Sequence, residues 1–183
     1  MSDAQNLPPE VVAEPDWVPV SPFQLEGGRE SFVSGDPEGS RLRVRYFRRG
    51  ADGRLVGRAW FGPGTQGPPG HAHGGAIAAV LDEAMGAAAW MAGHRAVAAR
   101  LATNFKRMLP LGTDAMLEAW VERVEGRKVW TLARLLDAGL PPYADAEALF
   151  VILDDARLRP LVEKAAAARG LDPEELLAGK QQK

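Results

Sequence analysis

Apolar and polar positions alternate over the first well-patterned stretch of the chain, "RLRVRYFRRGADGRLVGRAWFGPG" from Arg41, on either side of Gly50-Ala51-Asp52-Gly53. That pattern predicts two strands joined by a tight turn. Pro63 to Gly70 is dense in glycine and proline and predicts a loop. From Gly74 to Met91 no breaker interrupts the run until Gly93-His94, which predicts one long helix. Alternation returns over Ala96 to Met108, Met116 to Val124 and Lys128 to Leu136, three strands, with Glu125-Gly126-Arg127 as the turn between the last two. Tyr143 to Leu153, "YADAEALFVIL", fits a helix or a strand. The preceding Pro141-Pro142 and the neighbouring strands favour a strand. "RPLVEKAAAARGLDPEELLAGKQQK" then reads as one or two surface helices, with a stop at Gly170 and a restart at Asp172-Pro173. Residues 1–16 are rich in proline and acid and predict a disordered leader. The expected organisation is this leader, a domain over 17–155 and a helical extension over 156–183.

The long helix is apolar on every side except at Asp82 and Glu83, and such a helix must be surrounded. Hairpins before and after it predict an antiparallel sheet curled round it, an α+β fold, with Ala78, Ala79, Ala87, Ala88 and Ala89 allowing close approach. An α-rich core with ordinary alanine packing is the alternative.

Composition narrows the functions. A length of 183 residues suits one domain with tails, and 22 basic against 24 acidic residues give a formal charge of -2, which suggests neither nucleic acid nor an anionic membrane as partner. The absence of Cys excludes a thiolate nucleophile and cysteine-ligated zinc, and it fits a reducing compartment. With no basic segment followed by an apolar run near Met1, the expected location is cytoplasmic. The stretch Ala76 to Met91 is too short and too acidic for a membrane span.

The segment "GPPGHAHGGAIAAVLDEAMG", residues 67–86, carries the candidate chemistry. Gly74 and Gly75 sit where loop becomes helix, so their N–H groups are unpaired donors at the positive end of a helix dipole and suit a carbonyl oxygen that gains charge. Glycine pairs before helices are also common as plain turns. Asp82 and Glu83 are candidate acid–base groups, and burial raises a carboxyl pKa toward the range of a general base. Adjacent helix positions point about 100° apart, so one is expected in a site and the other solvated or ion-paired. Eight residues at 1.5 Å each separate Gly74 from Asp82 by about 12 Å, too far for one carbonyl. Two antiparallel copies solve this, because the glycine turn of one then faces the carboxylate of the other. Other schemes are thin. All five serines lie within the first forty residues and none has a G-x-S-x-G context. His71 and His73 form an H-x-H pair without a convincing third metal ligand, so no metal or other cofactor is expected. His73 can instead fix the turn or line the pocket.

These residues resemble the hot-dog-fold acyl-CoA thioesterases of the 4-hydroxybenzoyl-CoA and phenylacetyl-CoA thioesterase superfamily. The resemblance runs from about Ser31 to Leu153: "GPPGHAHGGAIAAVLDEAMG" matches the glycine-rich loop, HGG turn and helix with its carboxylate, and "ARLATNFKRMLPLG" the strand that follows. It implies a curved antiparallel sheet around the helix, a homodimer or homotetramer with a continuous sheet, and hydrolysis of acyl-CoA to free acid and CoA. Gly74, with His73 beside it, would polarise the thioester carbonyl, and Asp82 would activate water or attack directly. Glu83 is a second-choice carboxylate. One departure stands out: relatives often carry Thr or Ser where "AARL" places Ala98, so Thr103, Asn104, Gln66 or Glu83 must compensate or turnover is weak. Gly75 and Gln66 belong to the same expected substrate site, and Arg100, Lys106 and Arg107 are candidates for the CoA phosphates or ordinary strand charges. Trp90, Met85, Phe61 and Trp60 either line the acyl site or are plain core. Competing readings are an acyl-CoA-binding protein without turnover, motivated by Ala98, and a hydratase, for which a histidine motif outside the HGG segment is lacking.

Overall fold

The computed structural model describes residues 13–22, 31–34, 39–168, 170 and 172–174. Seven strands form one antiparallel sheet in the order β1-β2-β3-β5-β6-β7-β4: β1 (Trp17–Val20), β2 (Leu42–Arg49), β3 (Leu55–Phe61), β4 (Ala96–Phe105), β5 (Asp114–Glu125), β6 (Lys128–Asp137) and β7 (Leu140–Ile152). The helix α1 (Gly74–Met91) connects β3 to β4, and so must pass across β5, β6 and β7 on one face of the sheet. A second helix, α2 (Asp155–Ala167), follows β7. The α+β arrangement of a sheet around one helix is the architecture that the hydrophobic pattern predicts.

Period-2 alternation explains which side faces α1. Leu117 and Ala119 of β5, Val129, Ala133 and Leu135 of β6, and Ala144, Ala146 and Ala148 of β7 are buried in one cluster with Ile77, Val80, Leu81, Ala84 and Met85 of the helix. Alanines therefore stand on both sides of the contact, and the helix backbone can lie close to the sheet. Met85 and Phe61 are fully enclosed in this core, which answers their candidacy as acyl-site residues. Trp60 is also buried, but on β3 it alternates with Ala59 and Phe61 and so faces away from α1.

Two elements differ from expectation. β1 pairs with the end of β2, Trp17 opposite Arg49 and Val20 opposite Tyr46, and Trp17 packs on Phe47 and Val56 on the outer face. The last residues of the expected leader are pinned with it: Glu14 O accepts from Trp17 N and Asp16 O from Gly50 N. Residues 1–12 of that leader lie outside the described residues. β7 starts three residues earlier than predicted, at Leu140, and includes both prolines. They fall between the Asp137–Leu140 and Leu135–Ala144 pairs, where the β6–β7 ladder shifts register, so no ladder donor is lost.

β4 is an edge strand, paired only with β7. Its register shifts between Ala98 and Arg100, which leaves Ala99 as a bulge. Beyond the bulge, Leu101, Thr103 and Phe105 stand opposite Ala148, Ala146 and Ala144 and share their helix-facing side. Arg100, Ala102 and Asn104 take the outer side.

Candidate active site

The loop before α1 folds back on itself to present the helix start. Gly67 N donates to His71 O and His73 N to Thr65 O, and the backbone of His73 passes so close to Gly67 that a Cβ there would lie 2.7 Å from His73 Cα. Only glycine fits at that crossing. His73 is the N-cap of α1, with extended backbone (φ −67, ψ 137), and its Nδ1 accepts from Gly75 N at 2.9 Å. The expectation that both glycine amides are free is therefore corrected. Gly75 is committed to the cap, and the Gly74 N–H alone has no acceptor among the described residues. Of its two expected roles, His73 takes that of fixing the turn.

Gly74, Ala78 and Asp82 follow one another at i, i+4 spacing and form one face of α1 that is only partly covered. Asp82 Oδ1 is enclosed and has no hydrogen-bond partner. Burial pushes the Asp82 carboxyl above its ordinary value of 3.8. Glu83 points away from that face. Its carboxylate accepts from Tyr46 Oη at 2.9 Å and from Ser31 Oγ, which ties residues 31–34 and β2 to the helix. Burial raises its pKa as well, and the hydrogen bonds from Tyr46 and the 31–34 segment work against the rise. The expected division into one site carboxylate and one solvated or ion-paired carboxylate thus needs correction. Asp82 is the unsatisfied one, and Glu83 is hydrogen-bonded inside the fold instead of ion-paired at its surface.

A cleft of about 290 Å³ opens at the start of α1. Ile77 and Leu109 are buried at its floor, while Phe105 and Met108 are more than half exposed at 55% and 59%. Gly74 opens onto it, with the Phe105 ring 3.3 Å from where a Cβ on Gly74 would stand. Any side chain at position 74 would press on that ring and cover the free amide.

The remaining candidates separate. Arg100 pairs with Glu147 (3.2 Å), Lys106 with Asp145 (3.2 Å), and Arg107 with Asp137 (3.2 Å) while lying over the Tyr143 ring. Lys106 and Arg107 line the cleft, whereas Arg100 lies on the outer side of β4. Asn104 Nδ2 donates to Asp145 on that outer side. Gln66 Oε1 accepts from Gly70 N at 3.4 Å within the loop. Ala98 is exposed on β4 beside the bulge. Trp90 donates from Nε1 to Ala96 O at the far end of the helix, away from the cleft. His71 Nδ1 is 2.8 Å from Pro69 O. Among the described residues no three His, Asp or Glu side chains are grouped to hold a metal ion. Thr103, whose Oγ1 is enclosed without a partner, is singled out by the structure far more sharply than by the sequence, where it is one of four possible substitutes for a hydroxyl at Ala98.

Known proteins resemble this chain in sequence and in fold. Residues 69–139 match the thioesterase superfamily. Over 121 residues the chain is 35% identical to acyl-coenzyme A thioesterase THEM4 of Xenopus laevis, a match covering 64% of this chain and 54% of that protein. Over 124 residues it is 32% identical to THEM4 of Bos taurus, covering 67% and 51%. The chain spans about half the length of these curated relatives. The crystal structure of a thioesterase superfamily protein superposes with a TM-score of 0.55 at 33% identity, covering 60% of this chain and 53% of that one. Zebra fish thioesterase superfamily member 2, at 18% identity and TM-score 0.54 over 60% of this chain and 81% of that one, shares the fold. The sheet wrapped around α1 is thus a hot-dog fold. Segment 69–139 carries the sequence pattern of the thioesterase superfamily.

Proposed function

We propose that the chain is an acyl-CoA thioesterase that works as a homodimer or a dimer of dimers in a cytoplasmic, reducing compartment. The observation that carries the reading is the pair of unsatisfied groups on one face of α1, the Gly74 N–H and Asp82 Oδ1. One is the donor a thioester carbonyl needs, and the other is the base a water needs. They lie about 12 Å apart along one helix, so each site takes Gly74 from one protomer and Asp82 from its partner. The free edge of β4 supports this pairing, because it leaves a row of backbone groups open beside the half-covered face of α1. Asp82 accepts a proton from water as the water oxygen attacks the carbonyl carbon. The oxyanion is held at the Gly74 amide and the helix N-terminus. When the tetrahedral species collapses, the C–S bond breaks and Asp82 returns the proton to the CoA sulfur, leaving free acid and CoA. A carboxyl with a burial-raised pKa suits this exchange near neutral pH.

The shared site is tested by complementation. Asp82→Asn and Gly74→Val each remove one half, and both variants alone are expected to hydrolyse acyl-CoA at least about a hundred-fold more slowly than native protein. Co-expressed, they form mixed dimers in which one of two sites is intact, so about a quarter of the native activity returns. Absence of recovery with mixed dimers present rejects the shared site. Binding of acyl-CoA without turnover by the native chain supports the binding-protein reading that Ala98 motivates.

A further inference from the structure

His71, the first member of the H-x-H pair, has no part in the helix cap or in the chemistry at Asp82, yet it lines the cleft beside Gly74. Its backbone is held on both sides. His71 N donates to Pro68 O and His71 O accepts from Gly67 N, each at 2.9 Å, while Ala72 N donates to Leu109 O at 2.8 Å. The ring is held as well, with Nδ1 2.8 Å from Pro69 O. A carbonyl oxygen can only accept, so Nδ1 carries the hydrogen and, in the neutral ring, Nε2 presents a lone pair. No described residue bonds to that nitrogen.

The lining of the cleft decides which part of an acyl-CoA meets this ring. At about 290 Å³ the cleft lies at the small end of ligand sites and takes one limb of such a molecule, not the whole. Its floor is apolar, at Ile77 and Leu109, but Lys106, Arg107 and His71 line it as well. A hydrocarbon acyl limb would strip water from these polar groups and return no hydrogen bond. The thiol limb of CoA is an apolar chain interrupted by amides and ending in phosphates. Lys106 and Arg107 already have Asp145 and Asp137 as partners, whereas Nε2 of His71 is an open acceptor.

We infer that His71 is a substrate-binding residue whose Nε2 accepts a hydrogen bond from an amide N–H of the pantetheine arm while the thioester carbonyl sits at the Gly74 amide. This rests on the thioesterase reading above. An acceptor here matches the amide N–H groups of the arm and not the phosphates, which are acceptors themselves. Ring and backbone are fixed before the substrate arrives, so little freedom is lost on binding. The contact lies away from the reacting atoms and is made equally in the ground state and the transition state. It therefore acts on KM and not on kcat.

Two substitutions separate this contact from a loop-closing role. His71→Asn keeps a side-chain N–H for Pro69 O and lacks the outer nitrogen, whereas His71→Gln carries an acceptor where Nε2 stood and gives up the Nδ1 position. Kinetics at pH 8 compare thioesters of one acyl group with CoA, with pantetheine, and with ethanethiol, which has no amide. In the Asn variant KM for acyl-CoA and acyl-pantetheine is expected to rise about ten-fold with kcat within about two-fold of native. Its preference for acyl-pantetheine over the ethyl thioester falls by about the same factor. The Gln variant stays within about three-fold of native in both respects, a rescue that loop closure through Pro69 O does not produce. A native-like Asn variant, a Gln variant no better than Asn, a loss shared equally by the ethyl thioester, or a loss with acyl-CoA that acyl-pantetheine escapes overturns the assignment. The thioesterase reading survives each of these, because the native chain still hydrolyses acyl-CoA. A native chain that hydrolyses none of the thioesters overturns both.

Discussion

At the residue scale, the two adjacent carboxyls of α1 show how partners divide one kind of chemistry. Glu83 receives hydroxyl donors from β2 and from the segment before it, so its burial is compensated within the chain. Asp82 receives none at Oδ1, and its raised pKa reports the cost of holding charge there. A carboxyl whose folded pKa lies above its unfolded value keeps its proton in the fold at pH values where the unfolded chain has lost it. Its contribution to stability is therefore present below the ordinary carboxylate range and is lost as pH rises through the folded pKa. Asp82→Asn cannot ionise, so it is expected to raise Tm at pH 7–8 by about 1–3 °C while abolishing hydrolysis. Thermal unfolding of the two proteins across pH checks this, since the gap must close toward pH 4 and below. The acid limb of the native rate profile belongs above 3.8 for the same reason.

At the element scale, α1 is shaped as much by its start as by its apolar face. The His73 ring takes the Gly75 amide and thereby leaves one amide, at Gly74, for a ligand. His73→Ala removes the cap and is expected to cost about 0.5–2 kcal/mol of stability, whereas His73→Asn retains a side-chain acceptor and recovers most of it. Urea unfolding of the three proteins measures both effects. The carboxylates of β6 and β7 play a comparable part for β4. Glu147, Asp145 and Asp137 meet Arg100, Lys106 and Arg107, and these cations enter any encounter with CoA phosphates already paired. Half-exposed pairs of this kind hold little free energy and exchange readily for a stronger anion.

At the scale of the whole molecule, the open edge of β4 and the partly covered face of α1 lie side by side. Leu101 is 39% exposed there although its alternation directs it toward the helix side. A second copy across this edge buries it, and a charge in its place opposes the pairing. Leu101→Glu is expected to give a folded protomer by circular dichroism that elutes at half the native mass and hydrolyses acyl-CoA at least about ten-fold more slowly. Native-like mass and rate in that variant reject a dimer built through β4.

Much of this architecture was legible from local pattern. Six of the seven strands, the long helix and the Gly74–Asp82 spacing follow from alternation, breakers, the Pro141-Pro142 pair and the rise of a helix, all set by residues close in sequence. β1 was not legible, because "WVPV" is four residues with a proline and becomes a strand only by pairing with the end of β2. The same distinction separates the site. Residue order determined that a glycine turn and a carboxylate share one helix. Tertiary structure decided that Gly75 is spent on a cap, that Glu83 is satisfied, that Asp82 and Thr103 are not, and that three cations are paired. Each of those outcomes depends on a partner's direction and distance after the chain has folded back on itself, and short-range periodicity carries no information about either.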